Sequence, residues 1–233
     1  MDEIQKIAKK YKVKVIEDAA QALGGKYKKQ NIGTISDFTI FSFQAIKHIT
    51  TGDGGMLCIK DKKLVEKAKR IRWFGIDRKK KQLGIWKNDI KEVGFKYQLT
   101  DLGASIGYQS LLDFKKIISH RLKIYKIYLK NLSQNPNITC VHDFDNKKKC
   151  AAWLFTILLK KKDFLQKKLR EKNIETNQVH FRNDKYSIFK KFIKKQKFKN
   201  MDNIENKYLV LPIHTKVSER DAKYICNLIN RYV

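Results

Sequence analysis

An α/β layer with a mixed or parallel sheet, followed by a small C-terminal α+β domain, is the fold class that three observations predict. Strand and helix periodicities alternate through the first part of the chain, the order that builds a sheet with helices packed against it. Residues 37–43 are almost continuously apolar, as a strand buried on both faces is. Asn135-Pro136-Asn137 then interrupts the chain, and shorter strand and helix signals follow it. Two domains are therefore expected, residues 1–130 with a long helix at their end and residues 131–233.

Taken in order, Ile4, Ile7, Ala8 and Tyr11 recur at helical spacing, so residues 2–11 form a helix that leads into a strand at 13–16. Gly24-Gly25 and Gly33-Thr34 bracket a short hairpin around Tyr27. After the strand at 37–43, the turn Thr50-Thr51-Gly52-Asp53-Gly54-Gly55 leads into a strand at 56–59. Asp61 stands where it can cap a helix carrying Leu64, Val65, Ala68 and Ile71, and Gly75 ends that helix. Residues 76–92 are polar and read as a loop with Trp86 as its apolar anchor. Thr100-Asp101 starts one long helix with apolar positions at Leu102, Ile106, Leu111, Leu112, Ile117 and Ile118. Beyond the break come strands at 138–141 and 152–159, a helix at 163–172 and a strand at 176–181. Ser218 with Asp221 gives the last helix a capping-box start.

Composition narrows the function classes. At 233 residues and 42% hydrophobic, the chain can build a packed core, and global disorder is excluded. No apolar run reaches the length of a transmembrane helix, and the charged N-terminal stretch lacks a signal-peptide core, so a cytoplasmic protein without a membrane partner is expected. The four cysteines have no paired spacing, which argues against a disulfide framework or a zinc site; Cys58 and Cys226 read as core thiols. The five histidines are equally dispersed, so no metal site is expected. The net charge of +29 comes from lysines spread along the chain, with triplets at 79–81, 147–149 and 160–162. Charge of this kind speaks to solubility and non-specific attraction, and no nucleic-acid motif accompanies it, so a nucleic-acid partner is not expected.

The stretch with chemistry in it is 41–55, FSFQAIKHITTGDGG. Lys47 follows Ala45 and Ile46 and precedes a glycine-rich turn. A lysine at a strand end in a partly desolvated setting gives up its proton more readily and becomes an amine nucleophile. Upstream, 15–23 reads VIEDAAQAL, an apolar run ending in Glu17-Asp18, with Gln21 just beyond. Together the two stretches resemble the cofactor site of the DegT/DnrJ/EryC1/StrS sugar aminotransferases, whose pattern is E-D-x-A-[HQ]-A, then F-S-F-x-x-x-K followed by T-x-[ED]-G-G. Residues 93–125 are similar to the family's G-x-[NK]-Y-x-[ML]-x-[DE]-x-x-A-x-x-G-x-x-Q-L and the start of its long helix. NIETNQVHFRNDKYSIF (173–189) and LVLPIHTKVSERDAKYICNLI (209–229) resemble its C-terminal domain, including the LP-[IL]-H turn at 211–214.

The resemblance implies part of a fold type I large domain, a mixed sheet with helices on both faces, which binds pyridoxal 5′-phosphate (PLP). It implies that Lys47 attaches to the cofactor and later moves a proton on the substrate. Asp18 pairs with the ring nitrogen, Gln21 meets the phenolic oxygen, and Ser42 meets the phosphate. Lys96 stands where relatives commonly carry an asparagine that reaches the partner subunit's cofactor phosphate. His180 and Arg182 lie where relatives approach the substrate, whereas His48 is read as packing. The implied reaction moves an amino group from L-glutamate to a nucleotide-linked keto-sugar, perosamine-like, in a homodimer. Relatives carry a considerable segment before the point matched by Met1, so an N-terminally shortened member is expected. The alternative reading is a catalytically impaired, truncated member acting as a dimerisation or binding module.

Overall fold

The computed structural model describes residues 1–87, 89–141, 148–193 and 197–233; Lys147 of one lysine triplet lies outside them. In chain order the strands are β1 (Ile16–Asp18), β2 (Lys26–Tyr27), β3 (Gln30–Asn31), β4 (Phe38–Ser42), β5 (Gly55–Ile59), β6 (Thr139–Val141), β7 (Lys148–Lys149), β8 (Phe155–Leu158) and β9 (Tyr208–Leu211). The α-helices are α1 (Asp2–Tyr11), α2 (Val65–Arg72), α3 (Arg78–Gln82), α4 (Asp101–Leu112), α5 (Phe114–Leu132), α6 (Lys162–Arg170), α7 (Lys190–Ile193), α8 (Lys199–Ile204) and α9 (Glu219–Tyr232). The chain divides into two compact units, one on residues 1–114 with β7, the other on 115–141 and 152–233.

In the first unit β1, β4 and β5 form a mixed sheet in that order, β1 parallel and β5 antiparallel to β4. The first strand starts at Ile16 rather than 13, because side-chain bonds displace the ladder before it. The Asp37 carboxylate accepts from the Val15 backbone N–H at 3.0 Å and from Lys14 Nζ at 3.0 Å. Strand β4 is covered on one face only, which corrects the expectation of two. Thr39 and Phe41 are buried with Ala19, Phe43 and Ile49, while Ile40 is 44% exposed on the other face. An apolar run alone does not distinguish the two cases. The expected hairpin is β2–β3, turned by Lys28 and Lys29 at φ 47° and 68°.

Asp61 caps the turn before α2 through Lys63 N at 3.0 Å, and Gly75, at φ 74°, closes the helix by donating to Arg70 O. The segment read as a loop contains α3, capped by Asp77 through Lys79 N; its lysine-rich turn has no apolar stripe to reveal it. Trp86, expected as the apolar anchor, is instead 74% exposed, with Lys81 Nζ 4.7 Å from its ring centroid. The single long helix expected from Thr100 is two, α4 and α5, divided at Asp113.

The second unit contains α5, although the sequence placed the domain boundary after residue 130. Ile124, Tyr125, Tyr128 and Leu132 bury one face of α5 in this unit, and Tyr128 Oη donates to Pro212 O at 2.8 Å. Its sheet is antiparallel, β6–β8–β9. The strand expected at 176–181 is reduced to one bridge, Asn177 with Val210, because the Asn177 side chain takes the Gln178 N–H at 2.7 Å and turns the chain. The capping box of α9 forms in both directions, Asp221 N to Ser218 Oγ and Ser218 N to Asp221 Oδ2. Cys226 is fully buried and its thiol is pushed up to about 12 by burial; Cys58, half-buried, packs at the edge of the first unit's core.

Candidate functional site

Parallel strands β1 and β4 finish side by side, and ligands on α/β sheets gather beyond such strand ends. Alternation along β1 sends its two carboxylates to opposite faces. Glu17 turns to the buried side, where its Oε2 accepts from Ser36 Oγ at 3.0 Å and Thr39 Oγ1 at 3.4 Å. Asp18 faces the other way and is exposed; its Oδ1 accepts from Ala20 N at 3.0 Å, which starts the turn that carries Gln21. Glu17 is a residue the sequence reading passed over. The available signal was its position, one residue from Asp18 and therefore on the opposite face.

Ser42 is the last residue of β4, and Lys47 lies in the loop that follows. That loop is tied at its neck: Phe43 N donates to Gly54 O at 2.8 Å, and Phe43 O accepts from Thr51 N and Thr50 Oγ1. Inside it, Ser42 Oγ accepts from Gln44 N at 3.3 Å, Gln44 Oε1 accepts from Ile46 N, and Gln44 O accepts from Lys47 N. The Lys47 side chain is half-buried. Burial lowers its affinity for a proton below that of an ordinary lysine, and the Asp18 carboxylate acts in the opposite direction. The fold thus brings the two residues within electrostatic reach. His48 is buried with Nε2 2.6 Å from Ala151 O, a packing role.

The glycines after Lys47 are required by close approaches. A Cβ on Gly54 would stand 2.3 Å from Thr51 Oγ1, and one on Gly55 would meet Phe41 O at 2.7 Å. Helix α4 supplies two more: a Cβ on Gly107 would meet Thr51 Cγ2 at 2.6 Å, and one on Gly103 would meet Thr51 O at 3.3 Å. The small residues of α4 therefore let it sit directly on the Lys47 loop.

The remaining candidates fall elsewhere. Lys96, exposed, bridges Trp73 and holds its ammonium 5.8 Å from the Phe74 ring centroid, within the first unit. His180 and Arg182 belong to the second unit. The His180 ring is exposed beside Trp153, centroids 6.2 Å apart. Arg182, expected where relatives approach the substrate, is engaged within its own unit. Its side chain is 4% exposed, and its nitrogens are taken by Asp184 (2.9 and 2.6 Å), Asp202 (2.6 Å) and Glu205 (3.1 Å). A guanidinium so engaged holds the chain together. Among the described residues no group of His, Cys, Asp or Glu could hold a metal ion, and no helix is long and apolar enough to cross a membrane.

Residues 1–230 match the profile of the DegT/DnrJ/EryC1/StrS aminotransferase family. The chain is 33% identical over 230 residues to the UDP-4-amino-4,6-dideoxy-N-acetyl-beta-L-altrosamine transaminase of Campylobacter jejuni, covering 97% of this chain and 60% of that protein. It is 30% identical over 235 residues to the GDP-perosamine synthase of Escherichia coli O157:H7, covering 100% of this chain and 62% of the relative. Among solved structures, AtS13 of Actinomadura melliaura superposes with a TM-score of 0.90 at 26% identity, over 99% of this chain and 62% of that one. The chain spans about three-fifths of the length of the relatives it matches.

Proposed function

Because this chain belongs to the DegT/DnrJ/EryC1/StrS aminotransferase family, we propose that it carries the PLP-binding lysine of a cytoplasmic enzyme that moves an amino group from L-glutamate to a nucleotide-linked keto-sugar, perosamine-like. The observation that carries this reading is Lys47, half-buried beyond the ends of two parallel strands with its proton affinity lowered by burial and opposed by Asp18. The donor set fits PLP: an amine of reduced basicity, a carboxylate, an amide and a hydroxyl at neighbouring strand ends.

Lys47 would bond the cofactor's aldehyde carbon, Asp18 would pair with the ring nitrogen, Gln21 with the phenolic oxygen and Ser42 with the phosphate. Bound PLP supplies an electron-withdrawing ring that stabilises negative charge on the carbon bearing the amine. The Lys47 amine, neutral for a larger share of the time than a surface lysine, is suited to accept a proton from that carbon and return it. The negative charge of a carboxylate at Asp18 would favour a proton on the ring nitrogen it faces. Ser42 already closes the turn to Gln44, so the same hydroxyl both shapes the loop and remains at the strand end.

We read the second unit as the small α+β domain, with His180 at its substrate side and Arg182 as its brace. A homodimer is supported by α4, whose Leu102, Ile106, Leu111 and Leu112 are all at least half exposed; Lys96 would then serve the partner's cofactor phosphate. The reading is tested by supplying PLP and L-glutamate and measuring 2-oxoglutarate, then adding a nucleotide-linked keto-sugar. We expect one equivalent of 2-oxoglutarate per site from glutamate alone and turnover once the keto-sugar is present. Failure of glutamate to yield 2-oxoglutarate from a PLP-loaded protein contradicts it.

A further inference from the structure

Arg121, on α5 of the second unit, is 8% exposed, yet no carboxylate faces it among the described residues. One of its nitrogens is fully engaged: Nη1 donates to Ala152 O at 3.2 Å and to Trp153 O at 3.1 Å. Its Nε is buried and without a partner. Both bonds lie on one end of the guanidinium, so the edge formed by Nε and Nη2 makes none. The carbonyls are fixed in place, since Ala152 is fully buried and held at φ 52°. Arg182, in the same unit, shows the usual solution for a buried guanidinium, with every nitrogen on a carboxylate.

A buried cation lacking an anion is costly, because protein dipoles replace only part of its hydration. Burial accordingly lowers the proton affinity of Arg121, but a guanidinium stays charged at any ordinary pH. The Nε–Nη2 edge presents two parallel N–H groups at the spacing of two oxygens of a carboxylate or phosphate. His214, on which Arg121 acts electrostatically, is otherwise acted on by His120 and Lys216, with Glu175 the one carboxylate. His120 Nε2 is already 2.9 Å from Val217 O.

We infer that the Nε–Nη2 edge of Arg121 is an oxyanion-binding site of the second unit, taking a carboxylate or a phosphate group side-on. The Nη1 bonds to Ala152 and Trp153 hold the guanidinium plane fixed, so that the unbonded edge is already oriented. The proposal rests on residues of the second unit alone and does not depend on PLP chemistry.

The test is a titration of the full chain, labelled with 15N and 13C, with sodium acetate and separately with sodium phosphate at constant ionic strength set by chloride. The Arg121 Nε–H signal is assigned through its own side-chain carbons. We expect that signal to move saturably with at least one of the two oxyanions; whichever titrates identifies the group recognised. In Arg121→Lys, which keeps the charge but loses the two-pronged edge, binding of that oxyanion should weaken by roughly tenfold or more. The thermal stabilisation it gives the parent should fall with it. A signal that moves with neither oxyanion overturns the inference, water being then the group that serves Nε. Equal stabilisation of the parent and Arg121→Lys overturns it as well. Should the variant not fold, the titration of the parent decides alone.

Discussion

Two opposing influences set the chemistry of Lys47: burial takes its proton away and the Asp18 carboxylate holds it. Reductive labelling of Lys47 as a function of pH should therefore have a midpoint below the ordinary lysine value of 10.5. In Asp18→Asn the opposing charge is gone, so the midpoint should fall further; an unchanged or higher midpoint contradicts the pairing. At Arg182 the sign runs the other way. The guanidinium and Lys185 hold Asp184 and Glu205 below the usual carboxylate range. Carboxylates depressed in the folded state give stability that is present above their unfolded values and lost as pH falls through the folded ones, below about 4. Arg182→Gln should be less stable at pH 7 and should flatten the stability–pH curve in that acidic window, as followed by urea unfolding at several pH values. The placing of Asp18 at the end of β1 and of Lys47 just beyond β4 was legible because each sits in a short local motif. The role of Arg182 was not, since Asp202 and Glu205 lie 20 and 23 residues away along the chain.

At the scale of elements, the Lys47 loop and α4 are one construction. Gly107→Val should push the helix off Thr51, whose Cγ2 would stand 2.6 Å from the new Cβ. A cost of about 1–3 kcal/mol is expected for such overpacking, read as a lower unfolding midpoint in denaturant together with weaker PLP retention. Unchanged stability contradicts the docking of α4 on the loop. The hairpin, the caps of α2 and α9 and the strands on either side of Lys47 followed from turn and cap residues with local physical meaning. The break at Asp113 did not, because apolar positions on both sides of it continue without a Gly or Pro to mark the stop. Burial of β4 on one face instead of two was equally hidden, since an apolar strand looks alike whether or not a second layer covers it.

For the molecule as a whole, the exposed apolar side chains of α4 point to association. Leu102 is 82% exposed and Leu112 61%, fractions costly to leave in water on one helix. Sedimentation should show a dimer for the parent and a shift toward monomer for Leu102→Glu/Leu112→Glu; a parent that remains monomeric across the concentration range contradicts the dimer. The placement of α5 was beyond reach of the sequence, because its helical spacing names a buried face without naming the partner that buries it. Tyr128, bonded to Pro212 O, ties that face to residues 84 positions later.

The central claim, that Lys47 is the lysine chosen by PLP, is tested most directly by trapping. The protein is mixed with one equivalent of PLP, reduced with borohydride and mapped by mass spectrometry. With 44 lysines and a net charge of +29, the chain offers PLP many competing surface amines. We predict that the label is concentrated on Lys47 and that Lys47→Ala loses that label without gaining it at another single site. A label spread over the surface lysines, equal in the parent and Lys47→Ala, would contradict the account.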